Sequence, residues 1–388
     1  QTHHGGTGAE GGDVTSMKAR EVTASDFDPV MYEPSDAVHK MAKGHATNTA
    51  AHYRPFSTAY DKWHTRHDDD RKYGSQTLAK TLRAYSAQHY DELLKGMTGK
   101  VSTMRRKLQR ALMAQQRRDW DQGRMHGRLD SKRLVAAVNG AENVYKMRQD
   151  GKDLDTAVSV LVDLSGSMQG REIYLARSVA VALCEVFETV GVSYEVLGFC
   201  NRGGYGHRGD GQKVGRDEMH HISEQLANNS WSRSEPLDMV VFKDFGERLR
   251  SAKGSMAAIN DCAGGNNSDG EALLYQYDRL RKRTEKRKVM LTLSDGAPAS
   301  GCDFRGNHLG QHLRDVIEMV QSQGVHLVGI GIESDAVRQY YPRWTVCNDL
   351  EDLPKATMDQ VARLLVDEKF KVDNSDLMKA SAGVGRRR

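Results

Sequence analysis

Residues 157 to 163 read Ala-Val-Ser-Val-Leu-Val-Asp, an apolar and largely β-branched run that stops abruptly at a carboxylate. A run of that length and composition is a strand buried on both faces, since a half-exposed strand would alternate apolar with polar residues. Such a strand needs helices above and below it, and the sequence that follows supplies them. Arg171 to Val190 reads as a helix, Ser193 to Phe199 and Met239 to Lys243 as strands, and Asp269 to about Lys282 as a helix. Val289 to Ser294 is the next buried strand, His308 to Gln323 a helix, Val325 to Ile332 a strand, and Asp359 to Phe370 a late helix. Strands alternating with helices predict a doubly wound, mostly parallel α/β sheet. Between Cys200 and Pro236 the pattern is interrupted by a Gly-rich polar insertion.

The rest of the 388 residues is organised around that core. Residues 1–50 are polar and weakly periodic, a flexible arm that opens Gln1-Thr2-His3-His4. Residues 51–150 form a helical region, with Leu78, Leu82, Tyr85, His89, Leu93 and Leu94 spaced for one helix face. Val101 to about Gly123 is amphipathic and basic, with Met104, Leu108, Leu112 and Met113 on one stripe. Residues 151–370 are the α/β domain, and residues 371–388 a basic tail ending in Arg386, Arg387 and Arg388.

Charge and cysteine content narrow the function classes. With 56 basic against 52 acidic residues the net charge is +4, too balanced to argue for nucleic acid. No apolar run approaches the roughly 18 residues a membrane helix needs. Five widely spaced cysteines, Cys184, Cys200, Cys262, Cys302 and Cys347, form no C-x-x-C pair, and the reading is of a reducing, cytoplasmic compartment.

In an open α/β sheet, ligands lie beyond the carboxyl ends of the strands. There the sequence concentrates oxygen donors. The first strand runs into Asp163-Leu164-Ser165-Gly166-Ser167, which puts one carboxylate and two hydroxyls in a single turn. A second loop, Gly264-Gly265-Asn266-Asn267-Ser268-Asp269-Gly270-Glu271-Ala272-Leu273, opens a helix, and a later strand ends in Ser294-Asp295-Gly296. Any one of these is ordinary helix capping. Their conjunction at three strand ends reads instead as a site for a hard divalent cation, Mg²⁺ or Mn²⁺.

The D-x-S-x-S, G-x-N-x-D-G-x-A-L and S-D-G elements in this order resemble the von Willebrand factor A fold with its metal-ion-dependent adhesion site. The resemblance implies metal ligation by Asp163, Ser165, Ser167 and Asp295. Asn267 falls where many members have a coordinating Thr, and either Asn267 or Asp269 completes the set. A more specific resemblance covers about residues 53 to 368. Tyr53-Arg54-Pro55-Phe56-Ser57-Thr58-Ala59-Tyr60-Asp61, Arg117-Arg118-Asp119-Trp120-Asp121-Gln122-Gly123-Arg124, Asp269-Gly270-Glu271-Ala272-Leu273, Asp295-Gly296-Ala297-Pro298 and Tyr340-Tyr341-Pro342-Arg343 are similar to the CobT-type subunit of the aerobic, ATP-dependent cobaltochelatase. The long acidic middle segment common in that family is absent or reduced here.

That resemblance implies a non-catalytic adaptor in a large hetero-oligomer, joined to a CobS-type AAA+ ATPase ring and a CobN-type chelating subunit that inserts cobalt into a corrinoid ring. No G-x-x-x-x-G-K-[ST] pattern occurs in the chain, so ATP would act only through the partner ATPase. The alternative within the same fold is a partner of a MoxR-type ATPase with a different client. Phosphoryl transfer by Asp163, Asp269 and Asp295 around a metal is disfavoured, because no lysine or nucleophile shares the first loop. Nucleic-acid binding through Arg105 to Arg118 lacks interleaved aromatics apart from Trp120. His64 with His67, His220 with His221, and His308 with His312 each fall short of a local ligand set.

Overall fold

A computed structural model describes residues 53, 55, 58, 61–68, 78–115, 120–148, 155–202, 232, 233, 235–300 and 308–351. The expectations for the N-terminal arm, most of the 200–236 insertion, the late helix, the basic tail, His3, His4, His220, His221 and Cys302 lie outside those residues.

The described chain begins with strand β1 (Lys62–His64), followed by helices α1 (Leu78–Arg83), α2 (Ala87–Lys95) and α3 (Thr98–Gln115). A small module comes next: strands β2 (Trp120–Arg124) and β3 (Arg128–Leu129), helix α4 (Leu134–Val138) and strand β4 (Tyr145–Arg148). The main α/β part starts with β5 (Thr156–Asp163), α5 (Arg171–Val190), β6 (Ser193–Asn201) and β7 (Leu237–Lys243). It continues through α6 (Leu249–Ala257), α7 (Asp269–Arg281), β8 (Arg287–Ser294), α8 (His308–Ser322), β9 (His326–Ile332) and β10 (Trp344–Cys347).

Among the described residues the large sheet has seven strands in the order β1-β7-β6-β5-β8-β9-β10. Every neighbouring pair is parallel except β6 with β7. All eight residues of β5 are buried, as its composition requires. Its side chains alternate between two cores: Val158, Val160 and Val162 face the side covered by α1, α2, α3, α5 and α6, whereas Ala157 and Leu161 face the side covered by α7 and α8. Each fully buried Val or Leu contributes roughly 1.5–3 kcal/mol, so a one-residue register slip in β5 would be strongly disfavoured. Strand order reverses at β5, with β6 on one side and β8 on the other. That reversal opens the crevice in which sheets of this kind place ligands.

Three features depart from the sequence pattern. The stretch near residue 62 is a strand rather than helix, pairing in parallel with β7 at the sheet edge. The single helix face drawn through Leu78 and Leu94 is divided between α1 and α2, because Ser86 adopts extended backbone and caps α2, exchanging contacts with His89 three residues on. A histidine takes the place of the Glu or Gln that usually signals such a cap. Likewise the basic helix ends at Gln115, and residues 120–148 form a separate three-stranded antiparallel sheet in the order β2-β4-β3. Met104 and Leu108 of the helix stripe are fully buried, a core role.

Candidate metal centre

The carboxyl ends of β5, β6 and β8 are laced together by main-chain hydrogen bonds before any side chain is considered. Gly166 N–H donates to Gly265 O at 2.7 Å, and Gly264 N–H to Leu164 O at 2.6 Å. Asn201 and Asn266 exchange N–H to O bonds of 2.8 and 2.9 Å, and Asn267 and Ala299 exchange bonds of 3.1 and 3.0 Å. The loop before α7 is thereby clamped to the β6 end on one side and to the loop after β8 on the other. Gly265 makes the first clamp possible: its φ is +92°, and a Cβ there would lie 2.1 Å from Asn201 O. Glu235 adds a brace, accepting from Asn266 Nδ2 at 2.7 Å and from Ser300 Oγ at 2.6 Å.

This scaffold gathers the polar side chains singled out in the sequence. Asp163 is fully buried. Its Oδ1 accepts the Ser165 N–H at 2.8 Å, and its Oδ2 accepts the Ser294 hydroxyl at 2.8 Å. The Ser165 and Ser167 hydroxyl oxygens are 3.0 Å apart. The Ser167 hydroxyl lies near the Asp295 carboxylate. Asn267 Nδ2 donates to Asp269 Oδ2 at 2.9 Å and lies 3.5 Å from Asp163 Oδ2, while its Oδ1 accepts the Ala299 N–H at 3.0 Å. The Asn267 amide is thus a brace between two carboxylates with its oxygen already engaged, and Asp269 is the carboxylate this loop brings to the cluster.

The electrostatics are those of a site short of positive charge. Burial, then the nearby Asp295 carboxylate, pushes Asp163 up to about 6, against the opposing hydrogen bonds from Ser165 and Ser294. Burial and then Asp163 raise Asp269 well above the usual carboxylate range. Burial also raises Asp295, opposed by the Ser167 hydroxyl. Oδ1 of Asp295 is buried and has no hydrogen-bond partner among the described residues. An orphaned carboxylate oxygen beside two hydroxyls and two more carboxylates fits a small oxygen-seeking divalent cation. Among the described residues no three His, Cys, Asp or Glu side chains converge closely enough to hold a metal by themselves. The donor set that fits is therefore mixed, with Ser165 and Ser167 needed beside the carboxylates.

A second buried polar cluster, without a sequence signature of its own, lies against the same helix. Arg233, with no exposed side-chain surface, forms a forked pair with Asp61 at 2.7 and 3.0 Å and contacts Glu271 at 2.5 Å. Asp61 also accepts the Leu237 N–H at 2.8 Å at the start of β7. Tyr53 stacks on His312 of α8 with ring centroids 3.8 Å apart. The segment ahead of the α/β domain is thereby pinned to α7 two residues beyond Asp269. These residues are far apart in sequence and carry no shared spacing, so only the fold reveals them.

Of the histidines singled out in the sequence, His312 packs on Gly270, next to Asp269, where an added Cβ would lie 2.4 Å from its Nδ1, and His64 is engaged at the sheet edge. His64 Nε2 meets Asp238 Oδ1 at 2.8 Å, bonding β1 to β7. Cys184, Cys200, Cys262 and Cys347 are free buried thiols. Burial raises the first three, which leaves them protonated and inert. No helix among the described residues is long and apolar enough to cross a membrane.

The protein named "Uncharacterized protein YojO" from Bacillus subtilis (strain 168) is 20% identical over 249 residues, which is 62% of this chain and 35% of that protein. The chain thus spans well under two thirds of this curated relative. Two solved structures are also similar: the PilB minor pilin from Streptococcus sanguinis, at 13% identity and TM-score 0.35 over 58% of this chain and 66% of that one, and a von Willebrand factor type A from Catenulispora acidiphila, at 13% identity and TM-score 0.28 over 57% and 44%. Residues 144–367 match the family model described as the VWA domain of the cobalamin biosynthesis protein CobT, and the chain belongs to that family.

Proposed function

We propose that the chain is the adaptor subunit of an ATP-dependent cobaltochelatase, and that its metal centre docks it to a CobS-type AAA+ ring and a CobN-type chelating subunit. Asp163, Ser165, Ser167, Asp269 and Asp295 would hold Mg²⁺ or Mn²⁺, with Asn267 bracing Asp163 and Asp269. The observation that carries this reading is the buried, unpartnered Oδ1 of Asp295 facing a cluster whose carboxylates are all raised by burial. A cation bound there supplies a dense positive charge with a coordination position open to a partner's carboxylate. The chain's own residues do the rest. The clamped loops fix the donor directions, Ser294 and the Ser165 N–H hold Asp163 still, and the rigid sheet carries force from the docking surface to the N-terminal segment tied in by Arg233.

The reading assigns no bond-making step to this chain. Its place in cobalt insertion is to couple movement of the ring, driven by the partner's ATP hydrolysis, to the subunit that holds the corrinoid. The test is size-exclusion chromatography with light scattering of the chain mixed with a CobS-type ring in Mg²⁺ and ATP, beside Asp163→Ala. Loss of the large complex in the variant is expected. A complex unchanged by Asp163→Ala removes the metal bridge from the reading, and a complex formed only with a MoxR-type ring moves the client away from the corrinoid.

A further inference from the structure

A cleft of about 420 Å³ lies between the α1–α2 turn and helix α6, sharing no residue with the metal centre. Its walls carry Arg66, Arg83 and Arg250 with Ser251 and Ser255, and no carboxylate lines it. Two of the arginines are held in place. Arg83 Nη1 donates to the carbonyls of Arg66 and Asp68 at 2.8 and 2.7 Å. Arg66 donates to Ser251 O and pairs with Glu247. Arg250 is exposed, in the first turn of α6, and has no ion pair among the described residues.

Two features of the cleft suit an anion. The first is Ser255, only 1% exposed, whose Oγ has no hydrogen-bond partner among the described residues although it lies in the cleft wall. A buried hydroxyl without a partner is an unmet cost that a bound acceptor would relieve. The second is the charge at the start of α6. Its first turn has no acidic residue, while Arg248 takes the capping position and Arg250 follows. Cations at a helix N-terminus oppose the macrodipole, and an anion beside Arg250, which lines the cleft, offsets that penalty. The turn and the helix are held close: a Cβ at Gly254 would lie 2.4 Å from Tyr85 O.

We propose that this cleft binds the phosphate of a small phosphorylated ligand. Guanidinium groups match phosphate oxygens through paired N–H bonds, and the Ser255 hydroxyl supplies a further donor. Leu82 and Tyr85 offer apolar wall for the remainder of the ligand, and the volume is in the range of small-molecule sites.

The test is isothermal titration of the full chain in EDTA, with inorganic phosphate in one arm and ATP in the other, so that the metal centre takes no part. One saturable site per chain is expected. Arg250→Ala, at an exposed position that leaves the fold intact, should weaken binding about tenfold or more, and Ser255→Ala by about threefold. Asp163→Ala should bind as the wild type does. Equal affinity for phosphate and ATP assigns the cleft to a phosphate group alone, and tighter ATP assigns it to a nucleotide. Absence of saturable binding in both arms, or wild-type affinity in both Arg250→Ala and Arg250→Glu, overturns the proposal.

Discussion

Ser294, the last residue of β8, donates its hydroxyl to Oδ2 of Asp163, the last residue of β5, at 2.8 Å. The bond joins adjacent strand ends, and with the Ser165 N–H on Oδ1 it gives both oxygens of the buried carboxylate a fixed direction. Groups that orient a ligand without touching the metal typically matter at the level of about 10–100-fold in affinity. Ser294→Ala should therefore weaken Mg²⁺ binding about tenfold with little change in the circular dichroism spectrum. Unchanged Mg²⁺ affinity would show that Asp163 needs no such orientation.

The Asp61–Arg233–Glu271 cluster should dominate the stability of the N-terminal attachment. Removing one partner of a buried ion pair typically costs about 3–5 kcal/mol, because the other charge is left uncompensated. Asp61→Asn should fall at about 3 kcal/mol, since Glu271 still contacts Arg233. Urea denaturation measures it, and limited proteolysis should show earlier cleavage ahead of β5. Replacing all three by Leu, Met and Leu should restore much of the loss. A loss below about 1 kcal/mol for Asp61→Asn would mean the cluster is not holding the segment.

Acid sensitivity has an identifiable source at the start of β9. Burial first, then Arg343 and Arg287, lowers His326 from the ordinary 6.5 to about 4. The unfolded chain takes up a proton at this residue as pH falls through 6.5, and the folded protein does not until about 4. Stability from this group is therefore present above the higher value and lost as pH falls toward the lower one. Asp163, raised to about 6, acts in the opposite sense in metal-free protein, so the comparison must be made between variants. His326→Gln should lose less stability than wild type on going from neutral pH to about pH 4.5, read by urea midpoints in EDTA. Parallel pH curves for the two proteins would contradict this.

The α/β core was legible because burial on both faces leaves a mark on composition. β5, α5, β8, α8 and β9 all fall within a few residues of their sequence-based bounds, since each is long and its pattern unbroken. β1 and β10, of three and four residues, are too short to show a period, and their strand state comes from pairing with β7 and β9. Helix α6 escaped notice because Arg248, Arg250 and Lys253 crowd a segment whose buried side is mostly alanine, serine and one methionine. At the candidate metal centre, Asp163, Ser165, Ser167, Asp269 and Asp295 were legible as oxygen-bearing residues at strand ends, and the structure gathers them. The role of Asn267 was not, because amide direction is decided by Ala299 and Ala297 from a different loop. Arg233 was hidden for the same reason, its partners lying 172 and 38 positions away, the latter being 271 minus 233.

Metal binding itself is the property on which the docking reading stands. Isothermal titration of Mg²⁺, repeated with Mn²⁺, into the full chain at neutral pH should give one site per chain in the wild type. Asp163→Ala and Asp295→Asn should abolish it, while Arg250→Ala should leave it unchanged. A wild type that binds neither ion at millimolar concentration, or an Asp163→Ala variant that binds as well as the wild type, would contradict the assignment of the β5, α7 and β8 loops as a metal centre.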